Sequence, residues 1–83
     1  MIDVGTILHL GGREGIVCFI ADYNGKYYIN VNFEENGKDE YKVYEVIVDE
    51  KNSEYVFRIE KDEEIINELA ARWVAEELVE DNE

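Results

Sequence analysis

The sequence predicts an α+β domain: a four- or five-stranded antiparallel meander, free to curl toward a small barrel, with one C-terminal amphipathic helix. Three observations carry this prediction. Asn24-Gly25 lies between two runs of alternating apolar residues, the pattern of a tight hairpin. Further short alternating runs, YKVYEVIV (41–48) and YVFRIE (55–60), are set apart by polar turn segments. From residue 62 the apolar period changes from two to the helical one.

Taken in chain order, GTILHL (5–10) reads as a first strand ended by Gly11-Gly12. The segment LGGREG (10–15) lacks the lysine and hydroxyl residue of a phosphate loop, and a strand rather than a helix follows it, so its glycines are assigned to a turn. At Asn24-Gly25 a type I′ turn requires positive φ at both central positions, which Asn and Gly tolerate best. If Tyr23 then faces Lys26, Ile20 opposes Ile29, Cys18 opposes Val31 and Ile16 opposes Phe33, giving one apolar face. The other face receives Val17 against Asn32, Phe19 against Asn30 and Ala21 against Tyr28, a mixed surface.

The same rule at Asn36-Gly37 would place Phe33 opposite Glu40 and Val31 opposite Lys42. A tight turn is therefore rejected there in favour of a longer loop over EENGKDE (34–40), which pairs Phe33 with Tyr41 and Val31 with Val43. The apolar parity of 41–48 changes around Glu45, which calls for a bulge or for burial on both faces. After DEKNSE (49–54), Tyr55, Phe57 and Ile59 alternate with Val56 and Arg58 in the last strand. In the helix, Ile66, Leu69, Ala70 and Trp73 recur at helical spacing, broadened by Ile65, Val74 and Leu78. Asp62 is the N-cap, Glu63 and Glu64 suit the first turn, and Trp73 is expected to pack the helix onto the Ile20/Ile29 face. A single domain over 1–79 follows, with EDNE (80–83) as a disordered acidic tail.

A chain of 83 residues has room for one core. Its one cysteine, Cys18, and one histidine, His9, exclude an intrachain disulfide and a Cys/His zinc site. Cys18 between Val17 and Phe19 reads as a small buried hydrophobe suited to a reducing compartment. The opening MIDVGTILHL has no basic segment leading an apolar core, and no run approaches membrane-spanning length, so a cytoplasmic protein is expected.

Charge excludes more. With 21 acidic and 8 basic residues the formal net charge is -13, and the cations are scattered singly, so nucleic acid and anionic membranes are disfavoured as partners. Residues 60–83 carry ten Asp and Glu against Lys61 and Arg72. This acidic pole is a solvated helix face, a dock for a basic partner, or an imitation of DNA that occupies a DNA-binding protein.

Catalytic signals are sparse. His9 has no Ser or Cys neighbour and no orienting acid at a recognisable spacing, and the only serine, Ser53, lies among charged turn residues. The acidic turns lack the alternating ligands of a calcium loop. No enzyme activity, catalytic residue, cofactor or metal ligand is expected.

The order VGTILHLGGREGIVCFIADYNGKYYINV, an acidic loop, EYKVYEVIV and then EYVFRIEKDEEIINELA resembles the small acidic bacterial domains of unknown function typified by the YrzB-like family. The resemblance rests on YNGKYY and the closing DEEIINEL helix. It implies a cytoplasmic bacterial protein and transfers no site residues.

The favoured expectation is a non-enzymatic protein-interaction or regulatory module. Its candidate interaction face is Val17, Phe19, Tyr28, Tyr44 and Val46, an apolar area that calls for a cover: a partner protein, a second copy, or the N-terminal strand. The alternative is a small-molecule or enzymatic site, an aromatic pocket of Tyr side chains and Trp73 with Asn30, Asn32 and His9 as polar groups.

Overall fold

A computed structural model describes residues 2–81, with side chains over 2–78. Five strands, β1 (Ile7–Leu10), β2 (Arg13–Tyr23), β3 (Lys26–Glu35), β4 (Lys38–Asp49) and β5 (Glu54–Ile59), pair in sequence order as one antiparallel meander, followed by helix α1 (Glu63–Asp81). The sheet curls into a half-barrel, in agreement with the α+β fold the sequence predicts. The expected disordered tail over 80–83 falls at the edge of the description: α1 is traced to Asp81, and residues 82 and 83 lie outside the described residues.

The Asn24-Gly25 hairpin forms as anticipated, with φ of 52° and 75° at the two turn residues and Tyr23 facing Lys26. The predicted register holds through Ile20–Ile29 to Phe19–Asn30. It then shifts by one: a bulge at Cys18 brings Val17 opposite Val31 and Ile16 opposite Asn32. The expected pairs Cys18–Val31 and Ile16–Phe33 are thereby corrected.

The physical gain of the bulge is visible in what it turns inward. Val17 becomes fully buried, and Gly15 comes to lie directly under Phe33, where a Cβ would clash with Val31 Cγ1 and sit 2.8 Å from Phe33 Cε1. An extra residue reverses the parity of everything N-terminal to it, so Ile16 is left half-exposed on the outside.

The rejected tight turn also exists. Asn36 and Gly37 have φ of 55° and 77°, and Glu35 pairs with Lys38, so Phe33 does face Glu40 and Val31 does face Lys42. In this register Glu40 accepts from Arg13 Nη1 at 2.6 Å, and the Arg13 guanidinium lies 4.7 Å above the Phe33 ring. The β4 register runs without a shift, and its parity puzzle resolves as burial on both faces: Val43 lies beneath the helix and Val46 inside the curl.

The concave face holds the main core of Val17, Ile29, Val31, Phe33 and Val46, with Leu8, Leu10, Ile20, Tyr27, Tyr44 and Phe57 packed around it. Ile2, from the segment before β1, is buried in the same cluster. Helix α1 lies on the opposite face, where Leu69 packs with Tyr28 and Val43, and Trp73 stacks on Phe19 with ring centroids 6.2 Å apart. The expectation that α1 covers the Ile20/Ile29 face is corrected: curvature closes that face with its own strands, and the helix takes the other.

Capping follows the sequence. Asp62 Oδ1 accepts from the Glu64 N–H at 2.9 Å, and Arg72 ties the helix to the first hairpin by donating to the Asp22 carbonyl at 3.0 Å while lying over the Tyr23 ring.

Candidate interaction surfaces

The five residues of the predicted interaction face are divided by the fold. Val17, Tyr44 and Val46 belong to the concave cluster, whereas Phe19 and Tyr28 lie on the helix-covered side. Val17, Phe19, Tyr28 and Val46 are buried and Tyr44 is partly buried. The split has two causes: the bulge moves Val17 across the sheet, and even-numbered β4 residues share the concave side with odd-numbered β3 residues, as Ile29 opposite Tyr44 shows.

Three other surfaces are left by this packing. The first is a cleft on the concave side between the two edge strands. Neither β1 nor β5 has a second strand neighbour among the described residues, yet both line one cavity of about 380 Å³, Leu10 and Gly11 from one edge and Phe57 and Ile59 from the other. Phe33 and Tyr44 form its floor, and Arg13 and Lys42 stand at its rim. Burial raises the Tyr44 hydroxyl above its ordinary pKa. At the rim, Arg13 holds the Glu40 carboxyl below the usual carboxylate range, chiefly through their hydrogen bond.

The second surface is the β4–β5 hairpin beyond Val46, where the β3–β4 pairing ends and only two strands continue. Its cross-strand pairs Ile47–Val56 and Val48–Tyr55 are apolar on both faces and expose 37–59 % of each residue. A two-stranded tongue with apolar side chains in water gains little from burial. Asp49, Glu50 and Glu54 surround its tip, with Lys51 as the single cation there.

The third surface is a groove of about 440 Å³ between α1 and β4, lined by Tyr41, Val43, Ile66, Ala70 and Trp73 with Asn30 beneath. Tyr41 meets Trp73 edge-on at 5.5 Å. Tyr28, Asn30 and Asn32, alternate residues of the central strand and therefore on one face, each carry a buried oxygen that makes no hydrogen bond among the described residues. Asn30 is itself 8 % exposed. Burial pushes the Tyr28 hydroxyl up, helped by Glu60, which lies nearby without meeting hydrogen-bond geometry. Next to this row, Glu45 is buried and satisfied by Arg58 Nη2, with Lys26 Nζ at 3.8 Å.

His9 is exposed on β1 opposite Glu14 and lines neither cavity, so it does not join Asn30, Asn32 and Trp73. Ser53 occupies a left-handed turn position, φ 54°. Cys18, pushed out by the bulge, is half-buried, donates weakly to the Ile16 carbonyl, and has its thiol raised by burial. Among the described residues no group of three or more His, Cys, Asp or Glu stands together to hold a metal, and no helix is long and apolar enough to cross a membrane.

The edge cleft and the tongue were missed from sequence because both depend on where strands end relative to one another, which an alternation pattern does not encode. Comparison with known protein families, curated proteins and solved structures finds no match to this chain.

Proposed function

We propose that this protein is a non-enzymatic interaction module that engages a partner protein through the open side of its half-barrel, the β5 edge and the adjoining tongue. The observation that carries this reading is the tongue itself: Ile47, Val48, Tyr55 and Val56 form exposed apolar pairs on both faces of a hairpin that continues past the end of the β3–β4 pairing. Its rim of Asp49, Glu50 and Glu54 selects a partner with basic residues around an apolar centre.

Affinity capture with the wild-type chain and with the double variant Val48→Glu/Tyr55→Glu tests the reading, at about 0.1 and 1 M salt to screen long-range charge. Both positions are exposed, so the variant keeps its circular-dichroism spectrum and loses the salt-resistant partner. Identical recovery by the two proteins would overturn the proposal.

A second reading has one specific observation in its favour. Trp73, Tyr41 and Asn30 converge on the groove beside α1, above the row of unpartnered polar atoms, as a site for a small planar ligand requires. Thermal shifts against a panel of neutral heterocycles check it: stabilisation that disappears in Trp73→Ala supports this reading, and a flat panel removes it.

A further inference from the structure

The number and direction of the strands decide what can fill the cleft between the edges. In an antiparallel meander each strand reverses the one before, so β1 and β5 run in the same direction. By direction, a single added strand running opposite to both can pair antiparallel with β1 on one side and β5 on the other. Two added strands cannot, because one of the new pairings would have to be parallel.

Resting on the interaction-module reading, we infer that the cleft takes a single extended segment of a partner protein, bound as a sixth strand antiparallel to β1 and β5. The shorter edge, β1, offers four residues and β5 offers six, which sets the length of the paired segment. Alternate side chains of the segment enter the cleft against Leu10, Phe33, Tyr44 and Phe57, so they are apolar. The intervening ones face outward over a chain of net charge -13, so they are basic. That charge also argues against a second copy of this chain as the occupant, since like-charged chains repel. Because Leu10 and Ile59 are the last residues of β1 and β5 and both line the cavity, the antiparallel segment enters with its N-terminus beside them.

The test uses the full chain, labelled with nitrogen-15, and a capped peptide alternating valine and lysine over about six residues, the length that spans β5. Three control peptides accompany it: the same composition with valines and lysines in separate blocks, an alternating valine–glutamate peptide, and the valine–lysine peptide N-methylated at every second amide. The expected result is amide shift changes and slowed hydrogen exchange at both Ile7–Leu10 and Glu54–Ile59. Binding weakens about tenfold or more on N-methylation, which removes backbone donors, and is weaker for the blocked and acidic peptides. A nitroxide at the peptide N-terminus broadens Leu10 and Ile59 rather than Ile7 and Glu54.

Changes at one edge only, changes confined to α1, or equal binding of the blocked peptide would overturn the inference. If no peptide reaches the edges while capture remains sensitive to Val48→Glu/Tyr55→Glu, strand insertion is wrong and the interaction module stands. If capture is insensitive as well, both fall.

Discussion

The two faces of the sheet are built on different principles. The concave face is apolar and closes on itself: Val17, Ile29, Val31 and Phe33 are each at most 2 % exposed, and Ile2 adds to the same cluster. The helix-covered face is aromatic and polar, with Phe19 and Tyr41 around Trp73 and with Tyr28, Asn30 and Asn32 holding unpartnered oxygens among the described residues. Curvature buries the first face, whereas the second depends on one helix, of which Leu69 is the buried apolar residue among the described residues. The contrast teaches that stability is concentrated inside the curl, and that polar groups and grooves are tolerated where the packing contributes less.

The largest effect expected from this contrast is Phe33→Ala. It empties the centre of the concave core and lowers stability by about 3–5 kcal/mol in urea unfolding. A loss no larger than that of Trp73→Ala would erase the distinction between the faces.

Gly15→Ala is next. The added methyl collides with Val31 and Phe33, and overpacking costs about 1–3 kcal/mol, read as a lower urea midpoint. Little or no change would mean that the bulge at Cys18 can yield.

Asn30→Leu, of similar shape, has the opposite sign. Replacing a buried amide whose oxygen is unpaired among the described residues is neutral or stabilising by up to about 1 kcal/mol. A clear destabilisation would show that Asn30 is satisfied in solution and that the helix face is less frustrated than the concave comparison implies.

The smallest effect at neutral pH is alkaline titration, which samples both faces. Burial raises Tyr27 and Tyr44 on the concave side and Tyr28 beneath the helix above their ordinary pKa of 10.0. A raised folded-state value means that the folded protein holds its proton longer than the unfolded chain does. The stabilisation is therefore complete below about pH 10 and is lost as pH rises through the folded values. Tyrosinate absorbance should lag that of the urea-unfolded chain, and coincident curves would show that burial does not shift these hydroxyls. Tyr28→Phe reduces the lag on the helix face alone.

Much of the architecture was legible because it rests on local rules. Asn24-Gly25 specifies its turn and Asp62 its cap, and the change from two-residue to helical period marks the end of the sheet. Asn36-Gly37 was misread for an instructive reason. Requiring apolar residues to face apolar residues is sound for a sheet with one wet face, but here both faces are covered and Arg13 bridges to Glu40 from two strands away. The predicted interaction face was only partly recoverable for the same reason: Phe19 and Tyr28 do share a side, while one extra residue at Cys18 carried Val17 to the other.

Sequence alone therefore determined an antiparallel meander of four or five strands, the first hairpin, the helix and its cap, each a matter of residues within a few positions of one another. Only the tertiary structure decided which face the helix takes, where the bulge falls, and that the two edge strands line one aromatic cleft. Those choices turn on how well distant side chains pack, as Gly15 beneath Phe33 shows, and an alternation that is apolar on both faces carries no local signal for choosing between them.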